Sequence, residues 1–175
     1  INFQELFGIA YTCTYFANAA GTGDKIYIWE GIPSKSDEPV KTLINPVGVG
    51  RLDMNQEWLV VAAYPGDQAS VHVIKLDELF TGQLQPITNY RNFPQGVSVN
   101  EKGFFIALQA DNKVIGWTSV EEALSGRPHT MSFGGNDDKS NLGTKMASSV
   151  GWDGVHLWVG EFKFSNRLLG FMPSR

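Results

Sequence analysis

The feature that most constrains the fold of this chain of 175 residues is a short apolar segment that occurs four times. Each copy begins with polar residues and continues with apolar residues at alternate or adjacent positions, which is typical of a buried β-strand. The spacings between the copies are about 46, 42 and 54 residues. That period predicts a repeat protein with one four-stranded propeller blade per repeat. The four copies, predicted as third strands, are Asp24–Trp29, Ser70–Lys75, Asn112–Trp117 and Asn166–Phe171.

In each repeat, further strand-like segments precede and follow the third strand, and their order is the same from one repeat to the next. Upstream runs rich in β-branched and aromatic residues predict second strands at Tyr11–Phe16, Trp58–Ala63, Phe104–Leu108 and Val155–Val159. Small residues, which let backbones approach a central axis closely, indicate first strands at Val47–Gly50, Gly96–Val99 and Ser148–Gly151. Fourth strands are predicted at Val40–Ile44, Ile87–Tyr90 and His129–Phe133.

Two similar segments between third and fourth strands strengthen the repeat. Leu76–Gly82 and Val120–Gly126 both carry acidic residues early and a glycine after the last apolar position. That order is typical of one short helical turn with a glycine at its C-terminal end. We therefore predict an all-β fold, a β-propeller or partial propeller of about four blades.

The predicted blades span residues 8–46, 47–93, 94–133 and 146–175 of one repeat domain. The last blade has a third strand but too few residues after it for a fourth. Ile1–Phe7 is strand-like and precedes the first blade. We expect it to supply an outer strand, either to the last blade of the same chain or to a neighbouring molecule, and so to cover an exposed edge.

Composition excludes several classes of function. The formal net charge is −4 and the basic residues are scattered, whereas nucleic-acid binding needs clustered Lys and Arg. No apolar run approaches the roughly 18 residues of a membrane span. Cys13 is the single cysteine, so neither an intrachain disulfide nor a thiolate metal cage is expected. The sequence shows no signal peptide, and the compartment is left open.

The stretch Phe93–Trp117 resembles the NHL-repeat β-propellers, particularly bacterial extracytoplasmic ones, and Gly151–Phe171 is similar to the same repeat. The shared pattern has a proline, a small-residue strand, an apolar strand, and Ala-Asp followed by Asn-x-Val, here at Ala110–Val114. The resemblance implies a propeller fold and an extracytoplasmic or secreted protein. It implies no particular activity, because one fold carries many functions.

Acidic residues in the loops after the second strands and in the insertion 134–145 are candidate ligands for calcium, which prefers oxygen donors. The alternative is that these acids cap their own turns. They are Asp67, Asp111, Asp137, Asp138 and Glu161. Exposed aromatic residues beside a charge are typical of a recognition surface. That pattern adds the candidate binding residues Tyr64, Phe162, Lys163 and Phe164.

Three functions remain open on the sequence alone. The first is a non-catalytic scaffold whose loop face binds a protein, peptide or carbohydrate, since rigid repeats hold variable loops in place. The second is a metal-assisted hydrolase or lactonase, in which a cation polarises the substrate. The third is a structural half-propeller that is completed as a homo-oligomer. No cofactor other than calcium is suggested.

Overall fold

The computed structural model describes residues 8–12, 14–19, 24–46, 50–63, 71–87, 94–135, 147–161 and 168–172. Within these ranges the chain forms four antiparallel sheets, each a simple meander. The first sheet is β1 (Gly8–Tyr11), β2 (Tyr15–Ala19), β3 (Lys25–Glu30) and β4 (Lys41–Ile44). The second is β5 (Gly50–Met54), β6 (Trp58–Ala63), β7 (Val71–Lys75) and β8 (Gln85–Pro86). The predicted all-β fold is confirmed.

The third and fourth sheets repeat this arrangement. The third sheet contains β9 (Pro94–Asn100), β10 (Gly103–Leu108), β11 (Lys113–Trp117) and β12 (Met131–Gly134). The fourth contains β13 (Ala147–Trp152), β14 (Leu157–Glu161) and β15 (Leu168–Phe171). A 3-10 turn at Leu76–Glu78 and helix α1 at Val120–Leu124 confirm the two predicted helical turns. Among the described residues, no helix has the length and apolar character required to cross a membrane.

The same turn joins the first and second strands of all four sheets. A side-chain oxygen accepts hydrogen bonds from backbone amides two or three residues later. Thr12 accepts at 3.2 and 2.9 Å, Asn55 at 2.9 and 2.7 Å, and Asp153 at 2.8 and 2.7 Å. Asn100 accepts from Lys102 at 2.8 Å. Such local bonds favour turns over continued strand, so they fix equivalent positions in the four repeats.

Successive sheets pack face to face. We call the face of a sheet that points toward the next sheet in the chain its leading face, and the opposite one its trailing face. Three hydrophobic clusters lie between sheets one and two, two and three, and three and four. The innermost strands β1, β5, β9 and β13 lie side by side in that order. Pairs of core residues from opposing faces are Ala17 and Val61, Val60 and Ile106, and Ala107 and Val159.

Some predicted strand bounds are wrong. The predicted second strand Tyr11–Phe16 spans the end of β1 and the start of β2, because Thr12 accepts hydrogen bonds from the amides of Thr14 and Tyr15 between them. The second strand of the fourth sheet starts at Leu157, since the Asp153 carboxylate engages the preceding amides. The first strand of the second sheet continues to Met54, beyond its predicted end at Gly50, and the fourth strand is Gln85–Pro86, before the predicted start at Ile87. Residues 1–7, 47–49 and 88–90 of the predicted strands lie outside the described residues.

Candidate functional site

Two of the sequence-predicted site residues lie in the described part of the chain. Asp111 is in the turn after β10, and Glu161 is the last residue of β14. Both therefore follow second strands, in neighbouring sheets and at the same end of each sheet. The other predicted site residues lie outside the described residues: Tyr64, Asp67, Asp137, Asp138, Phe162, Lys163 and Phe164.

The environments of Asp111 and Glu161 differ. The Asp111 carboxylate is partly exposed and lies 4.0 Å from the Lys113 ammonium. Glu161 is only 7% exposed and pairs in register with Ala147 of β13. In the described part of the chain, no group of three or more His, Cys, Asp or Glu side chains is placed to hold a metal ion. The calcium site therefore stays a prediction that also involves residues outside that part.

The histidines occupy separate positions. His72 is buried in β7, and this burial lowers the pKa of its imidazole. The pKa of the exposed His129 is lowered by partial burial and by the charge of Lys113. His156 lies 3.4 Å from the Asp153 carboxylate and 5.6 Å from the Trp158 ring. Of the three histidines, only His72 lies within a strand, whereas His129 and His156 lie just before β12 and β14.

Sequence reasoning missed a groove between the second and third sheets, which we call the acidic groove. Its volume is about 400 Å³. The second sheet contributes strand residues and Glu78, and the third contributes one side of α1. The floor is apolar, because it includes Trp58, Val73 and Leu124. The other lining residues are Ile74, Lys75, Glu78, Gln85, Glu121 and Ser125.

The charges around the acidic groove are unbalanced. The Lys75 ammonium lies 5.2 Å above the Trp58 ring, within the range of a cation–π contact. It also lies 3.6 Å from the Glu57 carboxylate. Glu78 and Glu121 are both exposed and have no cation among the described ion pairs. The groove thus combines an apolar floor with an excess of negative charge at its mouth.

A second groove lies between the first and second sheets at the equivalent place. It has a volume of about 450 Å³ and is lined by residues 41–44 of β4, Pro46 and residues 81–84. The Lys41 ammonium donates a hydrogen bond of 2.9 Å to the Phe80 carbonyl and so ties the two sheets together. The signal for both grooves was in the sequence. The segment Val120–Gly126 forms one wall of the acidic groove, and the similar segment Leu76–Gly82 forms part of one wall of the second groove.

The meandering sheets and their side-by-side inner strands define the class of protein, a β-propeller with four sheets in the described residues. Comparisons with solved structures agree. The chain resembles the Myxococcus xanthus glutaminyl cyclase at 10% identity and a TM-score of 0.65, over 97% of this chain and 67% of that one. It also resembles the Cps50 (Swd1) β-propeller domain of Myceliophteria thermophila at 12% identity and a TM-score of 0.61, over 97% and 54%.

Two further structures are similar. The WD40 β-propeller domain of Doa1 matches at 15% identity and a TM-score of 0.57, over 88% of this chain and 47% of that one. The computationally designed Ika4 protein matches at 11% identity and a TM-score of 0.64, over 95% and 90%. The chain thus spans about half the length of the Doa1 and Cps50 domains. No family model and no curated protein sequence matches it. These likenesses show the fold alone.

Proposed function

We propose that this protein is a non-catalytic propeller scaffold that binds a protein partner through an extended peptide with a basic side chain. The acidic groove is the proposed seat for that side chain. The observation that supports this is the combination of an apolar floor at Trp58 and Leu124 with the exposed carboxylates of Glu78 and Glu121. The NHL-like character of the repeats is part of the same proposal.

Both the aliphatic stem and the charged group of a Lys or Arg side chain fit this groove. Its aliphatic stem packs on apolar surface while its charged group stays near water and carboxylates. An acidic partner is disfavoured, because like charges brought together at an interface reduce affinity. A carbohydrate is a weaker fit. A sugar stacks on the face of an aromatic ring, and the Lys75 ammonium already lies 5.2 Å above the Trp58 ring.

The loop face after the second strands is a second proposed contact surface for the same partner. In the described part of the chain it includes the partly exposed Asp111, whereas Glu161 is only 7% exposed and lies beneath it. The aromatic residues predicted to act there, Tyr64, Phe162 and Phe164, lie outside the described part. Rigid sheets hold the grooves and these loops in fixed relation to one another, which favours recognition of an extended partner over a catalytic role.

The test is fluorescence anisotropy with two labelled alanine-based hexapeptides, one with a central arginine and one with a central glutamate. We expect the arginine peptide to bind more tightly, and Glu121→Lys to weaken that binding about tenfold, or roughly 1.4 kcal/mol. Added salt is expected to weaken it further, because exposed charges are screened.

The matched control is Glu38→Lys, which makes the same charge change at an exposed site between β3 and β4. We expect this variant to bind the arginine peptide as the wild type does. Equal binding of the two peptides would contradict the proposal. So would equal loss in Glu121→Lys and Glu38→Lys, because net charge and not the groove would then determine affinity.

A further inference from the structure

Within the described residues, two faces of the four sheets have no neighbouring sheet. Hydrophobic clusters fill the three successive interfaces, from the first sheet to the fourth. The described residues form no such cluster between the leading face of the fourth sheet and the trailing face of the first. The innermost strands of successive sheets are in contact, β1 with β5, β5 with β9 and β9 with β13. Within the described residues, no contact of comparable extent joins β13 to β1.

The leading face of the fourth sheet is built like an interior one. In the third sheet, Phe105 pairs with Gly116, and a Cβ at that glycine would lie 2.6 Å from the Phe105 ring. In the fourth sheet, Trp158 pairs with Gly170, and a Cβ there would lie 2.9 Å from the Trp158 ring. Phe105 is fully buried by the next sheet, whereas Trp158 is partly exposed. Beside it Leu168 is 64% exposed.

The trailing face of the first sheet carries the matching half of an interface. Phe16 pairs with Trp29 across β2 and β3, in the register in which Phe104 pairs with Trp117 across β10 and β11. Phe104 and Trp117 belong to the core between the second and third sheets. Phe16 and Trp29 face the opposite way from the core between the first and second sheets and belong to no cluster of the described residues.

Asn18 marks this trailing face as different from the interior ones. Asn18 lies six residues after Thr12, the residue that forms the turn between β1 and β2. Val61, Ile106 and Val159 lie at the equivalent position of the other three sheets. Those three side chains are fully buried in interfaces between sheets. Asn18 is 5% exposed, and its side-chain nitrogen has no hydrogen-bond partner. A buried amide donor without a partner is costly, so this face differs in polarity from the three interior trailing faces.

We propose that two copies of this chain complete one ring, with the leading face of each fourth sheet against the trailing face of the other copy's first sheet. A two-fold axis makes the two seams identical and closes the assembly. A second copy is the occupant that presents the required faces, because the residues of these two faces continue the pattern of the three interfaces already formed. Phe16, Asn18 and Trp29 are only 9%, 5% and 7% exposed in the single chain, so the seam would bury mainly Trp158 and Leu168.

The test is the solution mass of the whole chain by light scattering on a sizing column, over a hundredfold range of concentration. We expect a species of twice the 19.3 kDa chain mass. Leu168→Asp places a charge in both seams, and we expect it to raise the dimer dissociation constant at least about 100-fold, since burying an unpaired charge is strongly unfavourable. Leu168 is 64% exposed in the isolated chain, so the monomeric variant should retain its circular dichroism spectrum.

Phe80→Asp is the matched control, because Phe80 is 48% exposed on the second sheet, away from both faces. It should remain a dimer. Met172→Asp, at a residue that is 75% exposed just beyond β15, provides a second seam variant and should behave as Leu168→Asp does. A wild-type monomer at all concentrations overturns the proposal. So does a dimer that survives both seam substitutions, or a mass that keeps growing with concentration.

Discussion

The Asp53 carboxylate in β5 accepts a hydrogen bond of 2.8 Å from the backbone amide of Val99 in β9. This bond joins the innermost strands of two neighbouring sheets across 46 residues of sequence. The other carboxylate oxygen accepts from the Met54 amide at 2.9 Å. Burial raises the pKa of Asp53, and the bonds from Val99, Met54 and Ser98 partly oppose that rise. The carboxylate thus acts as a bridge between sheets in a largely dry environment.

Replacing Asp53 with alanine should destabilise the fold. The change leaves the Val99 amide without its acceptor near the axis, and an unsatisfied buried donor costs about 1–3 kcal/mol. Asp53→Asn should cost less, because it keeps an acceptor and removes a desolvated charge. Urea unfolding at pH 7, followed by tryptophan fluorescence, measures both. An alanine variant as stable as the asparagine variant would show that the bond to Val99 contributes nothing.

The pH dependence of Asp53 has a definite sign. Because its folded-state pKa is raised above the ordinary value of 3.8, the protonated form is favoured in the folded state. Its contribution is fully present below pH 3.8 and is lost as the pH rises through the folded pKa. Wild type should therefore gain stability relative to Asp53→Asn as the pH is lowered from 7 toward 4. A constant difference between the two proteins over that range would contradict this assignment.

Gly96→Ala should be strongly destabilising, whereas Gly151→Ala should be nearly neutral. A Cβ at Gly96 in β9 would lie 2.7 Å from the Cα of Ser149 in β13, so two innermost strands would have to separate. A Cβ at Gly151 has no atom within 4 Å. Overpacking of this kind typically costs about 1–3 kcal/mol. Thermal unfolding of the two variants measures the difference, and similar melting temperatures would show that these strands are not closely apposed.

The repeat could be predicted from the sequence because its strongest signal is local. Third strands such as Asn112–Trp117 carry their apolar pattern within six residues. The error at Tyr11–Phe16 has an equally local cause. A run of threonine and aromatic residues has high strand propensity, yet the Thr12 hydroxyl bonds to the amides of Thr14 and Tyr15 and forms a turn. Residue type alone does not distinguish a strand threonine from a turn threonine.

The sequence predicted one wall of each candidate groove, in the two helical turns, but not the side chains that lie opposite. The acidic groove brings together Trp58 of β6 and Leu124 of α1, which are 66 residues apart in the sequence and belong to different sheets. No local pattern states which side chains meet across an interface between sheets. The predicted loop-face site depended on the same kind of long-range placement, and of its acids only Asp111 and Glu161 fall within the described residues.

Calcium should leave the melting temperature unchanged. Of the two described candidate ligands, Asp111 lies 4.0 Å from the Lys113 ammonium and Glu161 is only 7% exposed, so neither is a freely exposed carboxylate. A specific calcium site stabilises the folded state in proportion to its occupancy. Differential scanning fluorimetry in chelator and in excess calcium is the measurement. A rise in melting temperature that is lost in Asp111→Asn would favour a metal site on the loop face and with it the hydrolase interpretation.

Mild acid should destabilise the protein through His72. Burial lowers the pKa of its imidazole below the ordinary value of 6.5, so the unfolded state binds a proton more readily than the folded state does. The stability linked to His72 is fully present above pH 6.5 and is lost as the pH falls through the folded pKa. We expect the urea midpoint to fall between pH 7.5 and pH 5. His72→Gln should flatten this dependence, whereas His129→Gln, at an exposed side chain, should retain most of it. Equal flattening by both substitutions would assign the effect to overall charge and not to the buried imidazole.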